Sequence, residues 1–205
     1  MVDSNPLIWR RVIIPADVTF RRLHDTIQFS MDWWDCHLYE FEFLQEKLRI
    51  TNDEEAYEEF KFYQGKYKGK VLTKRNDPHG MIALTLETMI RQPQTIKIDR
   101  YLEKYNTITY VYDFGDNWRH KIELEKIIDD YEVGYPTILE GEGACPPEDV
   151  GGIPGYEEFL RVWNNPEHPE YEEMHQWGES QHYRPFDIAF RNNFLKTCLK
   201  IKKVK

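Results

Sequence analysis

The sequence predicts an α+β fold with a mainly antiparallel sheet, on three observations. ITYVYDF and WRHKIELEKII alternate in polarity around a Gly-Asp-Asn turn, as a central hairpin does. The first forty residues read strand, helix, strand, a β-α-β opening. The last fifty carry helix-like segments whose first turns are rich in glutamate.

In chain order, LIWRRVIIP is bulky and β-branched and ends at Pro15, so it reads as a strand. Thr19 is placed to cap a helix over 20–31, where Phe20, Leu23, Ile27 and Met31 form an apolar stripe with His24 and Gln28 beside it. In CHLYEFEFL, Tyr39, Phe41 and Phe43 alternate with Leu38, Glu40 and Glu42, a second strand. Acids crowd positions 53–59, and GKYKGK and RNDPHG follow with turn chemistry. Residues 51–80 therefore read as an exposed loop or insertion. IALTLETMI suits either helix or strand, and KIDRYLEKY reads as a short helix. Residues 131–152 are rich in proline and glycine and read as loop. GYEEFLRVW, PEYEEMHQW and FDIAFRNNFLKTCL predict three C-terminal helices, with Pro154 and Pro169 at their first positions. With no internal repeat or low-complexity linker, one domain over residues 1–205 is the economical reading.

Within the hairpin, a three-residue connection at Gly115–Asn117 would pair Phe114 with Trp118, Tyr112 with His120 and Tyr110 with Ile122. That register buries the aromatic face. Asp113 would meet Arg119 on the polar face. His120 then sits among aromatics, apart from Asp113, and is expected to be a core imidazole. The DFG triplet at 113–115 lacks the surrounding motifs of a kinase.

The chain has 205 residues and a net charge of −9. Its last ten residues hold five lysines and no acid, which leaves 22 basic against 36 acidic residues in the remainder. A body this acidic repels phosphate backbones, so nucleic acid is disfavoured as a partner except through the basic tail at 196–205. No window approaches the roughly 18 apolar residues of a membrane span, and no secretory signal is expected. Cys36, Cys145 and Cys198 are widely spaced and form no CxxC, which points to a reducing cytoplasm.

GEGACPPEDVGGIPGYEEFL combines prolines that stiffen a loop with glycines that let it turn. If this loop docks on the hairpin turn, Asp116, Glu148 and Asp149 rim a cleft, and Trp118 and His120 complete the candidate binding residues. A thiolate from Cys145 with His120 or His168 would add metal donors. No ligand spacing repeats, however, so neither a metal nor a cofactor is expected.

YDFGDNWRH, followed by GACPPEDVGG and GYEEFL, resembles the ORF-3 family named from a Ri plasmid; IWRR, LHDTIQ, Trp33–Leu38 and NPEHPEYEEM extend the match over roughly residues 6–195. The resemblance implies an α+β domain and signature positions at His24, Asp113, Asp116, Trp118, His120, Cys145, Glu148 and Asp149. It also implies a link to mobile DNA, since some members are labelled insertion-element passenger or TnpR-like proteins. The three serines, Ser4, Ser30 and Ser180, stand in no nucleophilic constellation. The reading that follows is a binding module for a protein or small molecule. The alternative is a metal-assisted hydrolase or nuclease using Asp113, Asp116, His120, Glu148 and Asp149.

Overall fold

A computed structural model describes residues 1–131 and 133–200; the end of the basic tail, 201–205, lies outside them. The fold is α+β, as the alternation of strand and helix patterns predicts. A five-stranded sheet has the order β4-β3-β2-β5-β6, built from β2 (Tyr39–Phe43), β3 (Leu48–Thr51), β4 (Met89–Arg91), β5 (Thr107–Tyr112) and β6 (Trp118–Glu123). All its pairings are antiparallel except β3 with β4.

One face of this sheet carries Tyr39, Phe41, Phe43, Tyr110, Tyr112, Trp118 and His120 into the core. Helix α1 (Phe20–Met31) covers it, with Phe20 packed edge-on against Phe41 and Phe43. The helix starts where Thr19 accepts a hydrogen bond from Arg22 N, and ends at Asp32 in the left-handed region. The opposite sheet face is polar. There Glu40 pairs with Arg49 on the adjacent β3, and Glu42 reaches across β5 to Arg119 on β6.

Strand β1 (Trp9–Ile13) does not join this sheet. It pairs with β7 (Thr137–Glu142) as a separate two-stranded ribbon, so the β-α-β opening does not form a single-sheet unit. β7 arises inside the segment read as loop. It is held by α7 (Ile188–Cys198), whose Asn192 side chain makes hydrogen bonds to both the N–H and the C=O of Ile138. Helices α5 (Gly152–Trp163), α6 (Tyr171–Ser180) and α7 match the three expected C-terminal helices. Their prolines sit elsewhere: Pro154 is the third residue of α5, and Pro169 precedes the α6 cap at Glu170.

Much of the stretch read as loop is helical. α2 (Glu54–Tyr67) begins at Asp53, whose carboxylate accepts a hydrogen bond from Ala56 N, and Glu54 and Glu55 occupy its first turn. The crowded acids are a helix start, favoured by the positive end of the helix dipole. IALTLETMI contributes both α3 (Met81–Glu87) and β4, and KIDRYLEKY forms α4 (Asp99–Tyr105).

The hairpin keeps its predicted faces but not its register. Tyr112 opposes Trp118, Tyr110 opposes His120 and Ile108 opposes Ile122, so the connection has five residues, Asp113 to Asn117. The cause is Asp113, which adopts φ 55° and bends the chain out of the ladder. Its side chain accepts from Gly115 N at 2.8 Å and its carbonyl from Asn117 N at 2.6 Å. A shift of two residues preserves which side chains face inward. It leaves Phe114 41% exposed instead of paired with Trp118, and Arg119 binds Glu42 rather than Asp113.

Candidate functional site

Three loops converge at one end of the sheet: the segment after α1, the hairpin turn, and the Cys145–Gly151 loop. The last docks on the hairpin through backbone. Gly151 N donates to Asp116 Oδ2 at 3.1 Å, and Gly152, at φ 69°, lies so close that an added Cβ would stand 2.7 Å from the Asp116 carbonyl oxygen. Only glycine fits that approach. The segment after α1 clamps the same loop from the other side. Trp33 Nε1 donates to Pro146 O at 3.1 Å, and Trp34 N donates to Glu148 Oε1 at 2.9 Å.

We predict that Gly152→Ala costs about 1–3 kcal/mol, from strained backbone and the lost approach together. Gly69→Ala is the control, because Gly69 also has positive φ (71°) but faces open space. Urea melts should show the larger loss at Gly152; equal losses would mean the docking contact contributes nothing.

At this junction His37 Nε2 lies 3.3 Å from Asp149 Oδ1, 3.7 Å from Asp113 Oδ2 and 3.8 Å from Glu148 Oε2. Asp113 and Glu148 are buried, while the Asp149 side chain is 76% exposed, so the cluster opens to solvent on one side. Tyr112 builds the floor. Its hydroxyl donates to Glu148 Oε1 at 3.0 Å and accepts from Cys36 N at 3.1 Å. Burial raises the pKa of Glu148, opposed by the N–H of Trp34 and the hydroxyl of Tyr112. Burial likewise raises that of Tyr112, which stays a neutral donor.

Behind this cluster, His24 fixes the loop that presents His37. His24 is fully buried and stacks on Tyr39 with ring centroids 3.6 Å apart. Its Nε2 meets Asp35 Oδ1 at 2.7 Å and its Nδ1 meets the Tyr110 hydroxyl at 2.9 Å. Gln28 completes the network, accepting from Asp35 N.

Of the residues singled out from the sequence, Asp113, Asp116, Glu148 and Asp149 come together. Trp118 and His120 do not line the cleft. Trp118 is fully buried, and His120 is wedged between Trp33 and Tyr110. Burial, reinforced by the nearby Met1 ammonium, pushes the His120 pKa down to about 3, so it is neutral at pH 7. Since the Trp118 carbonyl only accepts, His120 Nδ1 carries the proton. Cys145 offers no thiolate, because burial holds its pKa well above the ordinary value. His37 was missed. It precedes β2 with no ligand spacing to mark it, and only the tertiary fold brings it to the acids.

Two known proteins are similar to this one over most of its length. The uncharacterized protein y4hQ of Sinorhizobium fredii (strain NBRC 101917 / NGR234) is 30% identical over 178 residues, 87% of this chain and 77% of that one. The crystal structure of MM3350 from Methanosarcina mazei Go1, a protein of unknown function, matches with a TM-score of 0.66 and 34% identity, covering 92% of each chain. The family model described as plasmid pRiA4b ORF-3-like protein matches residues 1–193, in agreement with the paired DFGD and CPPED motifs, and the chain belongs to that family.

Proposed function

We propose that this protein is a binding domain whose ligand presents positive charge to the cleft of His37, Asp113, Glu148 and Asp149, with Asp116 holding the rim loop in place. The observation that carries this reading is charge without compensation. Three carboxylates face one imidazole nitrogen, and among the described residues no lysine or arginine pairs with any of them. Two of the three are buried, where an unpaired charge is costly and a ligand cation gains most. The acidic body adds a long-range field that draws cations and repels nucleic acid. No helix among the described residues is long and apolar enough to cross a membrane. The free cysteines Cys36, Cys145 and Cys198 fit a reducing cytoplasm, and the plasmid-derived family fits a setting among mobile elements.

The rival is a metal-assisted hydrolase or nuclease. The cluster of carboxylates and imidazole favours it, with His37 in the place the sequence reading gave to His120. Phosphoryl chemistry also draws on basic groups to neutralise the scissile phosphate, and among the described residues no lysine or arginine forms an ion pair with these acids, so binding is the preferred reading.

Calorimetric titration tests it. The protein is titrated with divalent ions and with guanidinium- and ammonium-bearing peptides, beside the double variant Asp113→Asn/Asp149→Asn. At least one class should bind one to one and lose at least ~10-fold in affinity in the variant, about 1.4 kcal/mol or more. Absence of any binding, or equal binding by the variant, contradicts the proposal.

A further inference from the structure

We propose that the cation is a divalent metal ion of borderline hardness, Zn2+ foremost, held by His37 Nε2, Asp113 Oδ2 and Asp149 Oδ1, with the unpartnered Glu148 Oε2 turned toward the same space. This rests on the reading of the cleft as a cation site. The first argument is the way each buried carboxylate is divided. Asp113 Oδ1 accepts from Gly115 N, and Oδ2 faces His37. Glu148 Oε1 accepts from both Trp34 N and the Tyr112 hydroxyl, and Oε2 faces His37. In each, one oxygen is tied by donors that fix the group's orientation, as outer-shell partners of metal ligands do, and the other is left for something in the cleft.

The second argument is independent. Glu148 is only 8% exposed, and its Oε2 has no hydrogen-bond partner among the described residues. His37 Nε2 is also buried and also unpartnered, although three carboxylate oxygens lie 3.3–3.8 Å away. An imidazole N–H beside so many acceptors would ordinarily donate to one of them. His37 Nε2, Asp113 Oδ2 and Asp149 Oδ1, close together with none bonded to another, instead outline three positions of a coordination shell, and Glu148 Oε2 lies beside them, 3.8 Å from His37 Nε2. A tetrahedral ion with bonds of roughly 2.0–2.2 Å has ligand-to-ligand edges of roughly 3.3–3.6 Å, and the separations of His37 Nε2 from Asp149 Oδ1, 3.3 Å, and from Asp113 Oδ2, 3.7 Å, lie at or just beyond that range. The ligand atoms of His37, Asp113 and Asp149 all lie within 4.8 Å of one another.

The comparison with a second acidic cluster is instructive. His24, Asp25 and Asp35 are equally close, but Arg21 pairs with Asp25 at 2.8 Å and Asp35 at 2.5 Å, and His24 bonds Asp35 directly. That cluster carries its own cation, whereas among the described residues no lysine or arginine pairs with the His37 cluster. The donor chemistry narrows the choice. Imidazole suits zinc and its neighbours better than calcium or magnesium, and carboxylates complete a zinc shell at similar bond lengths. Asp149, exposed and at φ 58°, is the ligand through which the ion would enter. The sequence alone led to the expectation of no metal, because these donors come from three separate loops.

The full chain, stripped of metal with a chelator and dialysed, should take up one equivalent of Zn2+, and Co2+ substituted for it should show the intense visible bands of a tetrahedral site. Asp149→Asn and Glu148→Gln should each weaken Zn2+ binding at least ~10-fold and His37→Gln at least ~100-fold. Asp149→Asn leaves an exposed side chain in a backbone conformation that asparagine tolerates, so it reports on the ion and not on folding. Glu158→Gln should retain the ion, since Glu158 pairs with Arg161 on the exposed surface of α5. Organic cations binding while Zn2+ does not would overturn the metal and leave the cation cleft standing. Uptake of neither would overturn both. Zn2+ held equally by wild type and by the His37, Glu148 and Asp149 variants would place the ion elsewhere and overturn the assignment.

Discussion

Trp118→Ala should remove about 3–5 kcal/mol of folding free energy, the usual cost of truncating a large aromatic in a packed core. Trp118 has no exposed surface and packs against Trp33, which lies in turn on Tyr112. Cross-strand from it stands Tyr112, the floor of the cleft. The deletion therefore loosens both the core and the support beneath Glu148. Since a domain's whole stability is of order 5–15 kcal/mol, the loss should be plain in a urea melt. Trp118→Phe is the informative partner. The indole N–H has no acceptor among the described residues, so a phenyl ring removes an unsatisfied donor along with some volume. It should keep most of the stability. A loss under about 1 kcal/mol for the alanine variant would mean that Trp118 is not the anchor described here.

Acid should destabilise the fold through His120. Its pKa is about 3 in the folded protein, against an ordinary value of 6.5. A depressed histidine pKa means that the unfolded chain binds the proton first. Stability is thus complete above about pH 6.5 and falls as pH drops toward 3. Each unit within that window costs about 1.4 kcal/mol, or about 4–5 kcal/mol over its full width. Carboxylates lose stability in acid too, so the test is a difference. His120→Gln should be less stable at pH 7 but should show a shallower decline between pH 6.5 and 4, by close to one proton's worth. Parallel curves for the two proteins would mean that His120 titrates normally.

What was legible in the sequence was set by local rules. Alternation in YVYDF and WRHKI identified the buried face, and it survived a register shift because two residues return every side chain to the same side. Thr19 announced α1, and the three C-terminal helices were read from prolines and glutamates at their starts, although only α6 carries glutamates in its first turn. The failures share a cause. β7 is stabilised by β1 some 130 positions earlier and by Asn192 some 50 later, neither visible within TILEGE itself. The hairpin connection lengthened because the Asp113 side chain bonds the backbone two residues on. Helix α2 was misread although Asp53 and the glutamates after it are the chemistry of a helix start. The docking of the CPPED loop on the hairpin turn was expected from two turn-rich motifs, and Asp116 makes that contact. The histidine at the centre was not expected, since His37 acquires its acidic neighbours only when three loops meet.

The central claim is that the cleft around His37 takes up a cation, and the nitrogen resonances of the imidazoles test it most directly. With 15N-labelled protein and a saturating divalent ion, the account predicts a large shift of His37 Nε2 while His24, bonded on both sides, and His120, sealed in the core, stay in place. A His37 resonance that does not move, or one that moves no further than those of His24 and His120, would contradict it.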